Sequence, residues 1–424
     1  MCSIGDDGLE EVPSKPPRDA TQRMCMKCSS SLAVVVVRLN DPLCKDCFLA
    51  YCTHKFRSTI GKARVIRHNE RVLLAVSGGP ASLAMLHFIS EATSARRLRF
   101  HPDVVFINNG AIIGVSTQDI VRKIHEVTMK AGFALHVVGL ETLFRADKMS
   151  PEESLQALQT LFDSVTSLTA KEDLLRSLHQ QLLVKVAMDE GYSRVMVGDS
   201  ANNIAVHILS DISQGRGGAL PFITAFNDSR HDGISILRPM REFIAKEICL
   251  YNHFMGIDAI STNSLATKAG INASINKLTE EFISGLQAQF PFTVSTVFRT
   301  GDKLSLSEEK CDIHCAICKV PVSSADRNLC KRLEHLAINH SHRSDSSPPS
   351  NNIGSACSSD DTGGSPHQST SLKDMLCYGC QLTLKDVKQD ITGLPFVQDC
   401  IQRISNREVI NSSIQEFLLP DDKS

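Results

Sequence analysis

The chain has 424 residues, room for one large domain with smaller modules, and its 42% hydrophobic and 22% charged residues argue against a fibrous, low-complexity or membrane-embedded protein. A formal net charge of -2 excludes a uniformly basic nucleic-acid binder, so any RNA contact must rest on a local patch. The opening MCSIGDDGLEEVPSKPPRD has no signal-peptide core and no run is apolar enough to span a bilayer, so a cytoplasmic location is expected.

Residues 1–23 read as a disordered leader, and 24–68 as a zinc-knuckle module with a basic segment. Of fifteen cysteines, six lie at or before Cys52, eight start at Cys311, and only Cys249 falls between. In a reducing compartment such cysteines are better metal ligands than disulfide partners. Cys25-Met-Lys-Cys28 and Cys44-Lys-Asp-Cys47, fifteen residues apart, have the spacing of a two-knuckle structural zinc site. Four thiolates fill the tetrahedral shell and leave no position open for catalysis. Behind them runs HKFRSTIGKARVIRHNER, in which Lys55, Arg57, Lys62, Arg64, Arg67 and Arg71 meet only Glu70 as an opposing charge. Such a stripe can follow a phosphate backbone, with Phe56 and the histidines available for stacking. A solvated helix face is the other reading.

Residues 69–305 alternate strand and helix. The strand-like runs are VLLAV (72–76), VVFIN (104–108), LHVVGL (135–140), RVMVG (194–198) and ISILRP (234–239). Short apolar runs without alternation suit parallel strands buried on both faces. Helical spacing joins Ile120, Ile124 and Val127 before Gly132, Leu174, Leu178 and Leu182, and Ile244, Ile248 and Tyr251 before Gly256. The expected fold class is α/β, a doubly wound, mostly parallel sheet.

The first strand ends in Ser77-Gly78-Gly79-Pro80-Ala81-Ser82. Glycines allow close approach of the backbone, helix-terminal amides can hold an anion, and the two serines add hydroxyl donors. A tight turn that binds nothing stays open beside that reading. The loop has neither the Walker lysine nor the dinucleotide glycine spacing.

After the α/β segment, Cys315-Ala-Ile-Cys318 and Cys377-Tyr-Gly-Cys380 form a second candidate zinc site, a ribbon split over 306–340 and 372–395. Residues 341–371 between them are rich in Ser, Asp, Gly and Pro and are expected to be a disordered insert that the ribbon loops out. Cys311, His314 and Cys330 compete as ligands, Cys357 does not, and 396–424 is a C-terminal tail.

The loop resembles the SGGxDS pyrophosphate loop of the PP-loop ATP pyrophosphatases, with Ala81 where that family has aspartate. GDSANN, from Gly198 to Asn203, is similar to the GHNxDD segment of their tRNA-thiolating branch, with Asp199 for histidine and Asn202 and Asn203 for both acids. Amides hold Mg²⁺ weakly compared with carboxylates. The resemblance implies a PP-loop, adenine nucleotide alpha hydrolase-like fold. It also implies a nucleotide site, intact or vestigial, at Ser77, Gly78, Gly79, Ser82, Gly198 and Asp199. Catalytic members of the branch carry a cysteine pair and a later cysteine in this domain. Nothing between Cys52 and Cys249 is a cysteine, ISTNSLATKAG stands at the later position, and Cys249 reads as a core residue of a helix. Taken with VVVVRLNDPLCKDCF, HKFR, LLAVSGGP, RPMREFIAKEI and QFPFTVSTVFRT, the order of motifs from Met24 to Leu394 resembles the cytoplasmic tRNA 2-thiolation protein 2 family. That resemblance implies a heterodimer with a catalytic PP-loop paralogue. The paralogue activates the wobble uridine of lysine, glutamine and glutamate tRNAs with ATP and takes sulfur from a thiocarboxylated ubiquitin-like carrier. The present chain is then a non-catalytic subunit, with no catalytic residue of its own, that holds tRNA or completes the assembly. The alternatives are an ATP-using enzyme in its own right, served by Asn202 and Asn203, and a zinc-module adaptor for proteins.

Overall fold

The structure, a computed structural model, describes residues 23–304 except 38–39, 115, 146–148, 232, 261–262 and 268, together with 313–322, 375–385, 387, 397–398 and 401–402. The leader up to residue 22, the insert 341–371, most of the tail, and Cys311, Cys330 and Cys357 lie outside the described residues.

The chain begins with an antiparallel pair, β1 (Val35–Val36) and β2 (Pro42–Leu43), and the helix α1 (Lys45–Ala63). There follow β3 (Arg71–Ala75), α2 (Pro80–Ser94), β4 (His101–Asn108), the short α3 (Gly110–Ile113), α4 (Gln118–Ala131) and β5 (Leu135–Gly139). Helices α5 (Pro151–Ser164) and α6 (Leu168–Asp189) lead to β6 (Arg194–Val197), α7 (Ala201–Ser213) and α8 (Leu220–Thr224). The rest of the domain is β7 (Asn227–His231), β8 (Ile234–Leu237), α9 (Ala245–Met255), α10 (Ile275–Gln289) and α11 (Thr293–Gly301). Beyond it come β9 (Ile313–His314), β10 (Pro321–Val322) and α12 (Tyr378–Thr383).

Six strands form one sheet in the order β5-β4-β3-β6-β8-β7, parallel throughout except for the edge pair β7–β8. All five expected strands are present. The sixth, β7, was not expected: NDSRH has no apolar run, because an edge strand need not be buried on both faces. The strand period of two separates the core into two layers. Val72 and Leu74 of β3 pack with α1, α2 and α9, while Leu73 points the other way into the layer of α5 and α6. The helical patterns stop as expected at Gly132 and Gly256, both left-handed.

Helix α1 belongs to this core rather than to a detached module. Phe48, Cys52 and Phe56 recur every four residues and are at most 3% exposed. Phe56 stacks on Phe88 at 4.8 Å between ring centroids, and Phe88 stacks in turn on Tyr251 at 4.2 Å.

Candidate functional site

The chain leaves β3 towards β4 on one side and β6 towards β8 on the other, so the sheet order reverses between β3 and β6. Ligands of open parallel sheets bind outside the carboxyl ends of the strands at such a point. The Ser77–Ser82 loop follows β3 and the Gly198–Asn203 loop follows β6. The structure thus brings together all six residues expected at the nucleotide site.

Two glycines make the approach possible. Gly78 has φ +85, and a Cβ there would stand 3.1 Å from Ile260 Cβ. A Cβ on Gly198 would stand 2.8 Å from the Cα of Ser82, closer than side chains tolerate, so only glycine lets the β6 loop lie on the start of α2. Ser77 and Ser82 place their hydroxyls 3.3 Å apart, and Ser82 Oγ donates to the Gly79 carbonyl at 2.9 Å. Between the loops is a cavity of ≈ 460 Å³, lined by Ser77, Gly79, Ser82, Gly198 and Asp199 with apolar walls from β3, β4 and α4.

The chemistry of this cavity is sparse. Among the described residues Asp199 is the one carboxylate on its wall, and it accepts from Arg238 Nε at 3.1 Å. Asn203 lines the cavity, whereas Asn202 uses its Oδ1 to accept the backbone N–H of Ala245 at 2.8 Å. Asn202 is therefore spent on fixing the start of α9, and the expectation of a paired amide site is corrected. His179 on the cavity wall lies with Nε2 2.6 Å from Asn109 Oδ1. Burial pushes its imidazole down to about 4, so it is neutral at pH 7 and adds no charge for a phosphate. The reading of Cys249 as a core cysteine is also corrected: its side chain is exposed and it lines this same cavity, because α9 turns its Ile248 and Tyr251 inward and leaves position 249 facing the opening.

Both cysteine groups assemble as their spacing predicts. Cys25, Cys28, Cys44 and Cys47 hold their Sγ atoms within 4.8 Å of one another, and so do Cys315, Cys318, Cys377 and Cys380. Cys28 and Cys44 stand 3.8 Å apart, Cys318 and Cys377 3.5 Å. A tetrahedral ion with metal–sulfur bonds of about 2.3 Å requires sulfurs about 3.8 Å apart, so the donor sets fit one metal ion each. The first group ionises as a unit. Cys25 is pulled down to about 6, chiefly by the backbone N–H of Cys44, while Cys47 is driven up to about 12, chiefly by its contact with the Cys44 thiol. His314 is exposed and outside the second group.

The basic segment divides. Arg57, Lys62, Arg64 and Arg67 are exposed, and no ion pair involves them among the described residues. Lys55 is different: its ammonium donates to both carboxylate oxygens of Glu247, at 3.0 and 2.8 Å, and lies 4.8 Å from the centre of the Phe243 ring. Arg71 donates to Tyr192 Oη at 2.7 Å and pairs with Asp103. Glu70 is thus not the only opposing charge, and Phe56 is buried rather than free to stack on a base. The inward face of α1 explains the burial of Phe56 and the pairing of Lys55, and the neighbouring β4 supplies the partner of Arg71.

Sequence reasoning missed a second cavity on the far side of His179 and Asp199. It measures ≈ 470 Å³ and is lined by Arg176, Arg216, Arg230 and Arg238. These arginines are spread over α6, the turn after α7, β7 and the end of β8, so no motif announces them.

A family model described as cytoplasmic tRNA 2-thiolation protein 2 matches residues 274–382, the stretch from α10 through the second cysteine group. The chain is similar to the cytoplasmic tRNA 2-thiolation protein 2 of Bos taurus, at 35% identity over 99% of this chain and 98% of the relative. With that of Homo sapiens the identity is 32%, over 99% of this chain and 98% of the relative. Among solved structures it is similar to the U34-tRNA thiolase NcsA from Methanococcus maripaludis, which carries a 4Fe–4S cluster, with a TM-score of 0.54 and 16% identity over 68% of this chain and 91% of that one. That likeness supports the fold derived above.

Proposed function

The chain belongs to the cytoplasmic tRNA 2-thiolation protein 2 family. From that membership we propose that it serves in the cytoplasm as a non-catalytic subunit for 2-thiolation of the wobble uridine in lysine, glutamine and glutamate tRNAs. A PP-loop paralogue is the catalytic partner and a thiocarboxylated ubiquitin-like protein the sulfur donor. One observation carries this reading. The switch-point cavity keeps the shape of a phosphate loop, yet Ala81 and Asn203 stand where acids would hold a metal, and its one carboxylate is committed to Arg238.

In this reading the subunit contributes position rather than chemistry, since proximity and orientation alone lower a barrier substantially. Arg57, Lys62, Arg64 and Arg67 hold the tRNA backbone. Cys25, Cys28, Cys44 and Cys47 hold one zinc ion, and Cys315, Cys318, Cys377 and Cys380 another. Bound there, zinc supplies structural cross-linking, because four thiolates leave it no open position.

Cys249 supports a second reading. A thiol on the wall of the switch-point cavity is placed for a sulfur-bearing role of the chain's own. Cells lacking the chain distinguish the two when their tRNA nucleosides are measured by mass spectrometry. The proposal expects 2-thiouridine to fall to background and to return with both wild type and Cys249→Ser. Recovery with wild type alone would establish the second reading. Unchanged 2-thiouridine without the chain would overturn both.

A further inference from the structure

The arginine-lined cavity lies between the sheet edge and the second cysteine group. Its floor is a layer of fixed charges. Arg176 donates to Asp211 at 2.6 Å and Asp173 at 3.3 Å, and Arg230 donates to Asp228 at 2.7 Å. Arg238 bridges Asp199 and Asp228 at 3.1 and 3.4 Å, and Arg216 pairs with Asp173 at 3.3 Å. Four guanidiniums thus face four carboxylates, but at different depths. Asp173, Asp211 and Asp228 are at most 1% exposed and Arg216, Arg230 and Arg238 8%, 4% and 6%, whereas Arg176 keeps 29% and Asp199 36% of the side chain accessible. The three buried aspartates fix the guanidiniums, of which Arg176 is the most accessible. His207 Nδ1 accepts from Arg176 Nη1 at 2.9 Å, and burial lowers its pKa, so it stays neutral.

The far wall comes from the cysteine module. Arg216 Nη2 donates to the Gly379 carbonyl at 3.3 Å and to Thr383 Oγ1, and Arg230 Nη1 donates to the Cys318 carbonyl at 3.0 Å. Arg216 is 8% exposed, and its Nε is buried with no hydrogen-bond partner in the structure. A buried guanidinium N–H without an acceptor is costly, and a bound acceptor would relieve that cost.

We propose that this cavity is a binding site for a phosphate group carried on a nucleoside. A tetrahedral oxyanion offers three or four acceptor oxygens to donors arriving from several directions, which one carboxylate cannot. At ≈ 470 Å³ the cavity exceeds a bare phosphate, and the Tyr378 ring with Leu183, Val197 and Ile236 gives the nucleoside an apolar seat. The phosphate comes either from a free nucleotide or from an RNA backbone. This site is separate from the Ser77–Ser82 loop, and it stands whether or not the thiolation reading holds.

Gly218 provides a gentle test. It lines the cavity, its φ is not left-handed, and a Cβ there meets only Val320 Cγ1 at 3.8 Å. Gly218→Leu therefore fills the cavity while leaving every arginine in place. Binding of inorganic phosphate, AMP, UMP and the dinucleotide UpU to the full metal-loaded chain would be measured by titration calorimetry, with thermal melts to confirm folding of each variant. The expected result is saturable binding of a phosphate-bearing probe, weakened about tenfold or more by Gly218→Leu and by Arg216→Lys, which keeps the charge but not the fork. Binding of AMP or UMP without UpU assigns a free nucleotide, and binding of UpU assigns RNA. Two results overturn the proposal: no probe binds wild type, or binding survives both variants and is lost instead with Ser77→Ala/Ser82→Ala in the other cavity.

Discussion

Gly198 and Lys55 show how much a single side chain decides. A methyl group on Gly198 runs into the backbone of Ser82, which cannot swing away as a flexible side chain would. Gly198→Ala is expected to cost about 1–3 kcal/mol by overpacking, seen as a lower urea midpoint at unchanged slope. Lys55 sits in a hydrogen-bonded pair with Glu247, whose side chain is 6% exposed. Lys55→Gln removes the charge partner of that carboxylate, which keeps the Tyr51 hydroxyl and the Ile244 N–H as donors, and should cost about 1.5–3 kcal/mol. Alanine at Arg57, Lys62, Arg64 or Arg67 should leave stability within about 0.5 kcal/mol. Each should instead lower the salt dependence of tRNA binding by about 1 in the log–log slope. A Lys55 variant that folds well and loses tRNA affinity would contradict this division. His179 adds a pH effect. Its folded value of about 4 lies below the ordinary 6.5, so the unfolded chain takes up the proton first. Stability from this group is complete above about pH 6.5 and falls as pH drops towards 4. His179→Gln should flatten part of that fall in melting temperature, with the His207 share remaining. At this scale the sequence was only half legible. The glycines and serines of the loop could be picked out because they are adjacent. The partnership of Lys55 with Glu247 could not, since it spans 192 positions and depends on which way α1 faces.

The elements were more legible than the contacts between them. The five parallel strands announce themselves because burial on both faces demands unbroken apolar runs, and Leu73→Ala in β3 should accordingly cost about 2–5 kcal/mol. Strand β7 hid because it is polar, and it is polar because Asp228 and Arg230 on it anchor the arginine layer. The assembly of the two cysteine groups was fully legible, as Cys-x-x-Cys spacing is a local signal. Their docking was not. The second group is tied to the domain by Arg216, Arg230 and the Gln181 side chain, which donates to the Ile317 carbonyl at 2.6 Å. Elemental analysis should find two zinc ions per chain and no iron. Cys318→Ser or Cys380→Ser should halve that number and speed hydrogen exchange in α12 and β7 together. Exchange rising in α12 alone would show that the arginine ties do not couple the two.

At the scale of the whole molecule, the protein has a doubly wound α/β sheet with a cavity at its switch point, and the proposed supporting role rests on what the residues around that cavity do. Asn202 caps α9, Asp199 holds Arg238, and Ala81 is apolar. The outline of the fold could be anticipated from the order of the motifs. The presence of Cys249 in the cavity could not, because helical spacing alone did not tell which side of α9 meets the opening. The most direct measurement is ATP-dependent 2-thiolation of wobble uridine reconstituted from the catalytic PP-loop partner, the sulfur carrier and tRNA. It would be run without this chain, with it, and with its Ser77→Ala/Ser82→Ala and Cys249→Ser variants. The account predicts that product forms only when the chain is present, and that both variants sustain the wild-type rate. Loss of turnover in either variant, with the complex still assembled on tRNA, would contradict a purely supporting subunit and return chemistry to the cavity between β3 and β6.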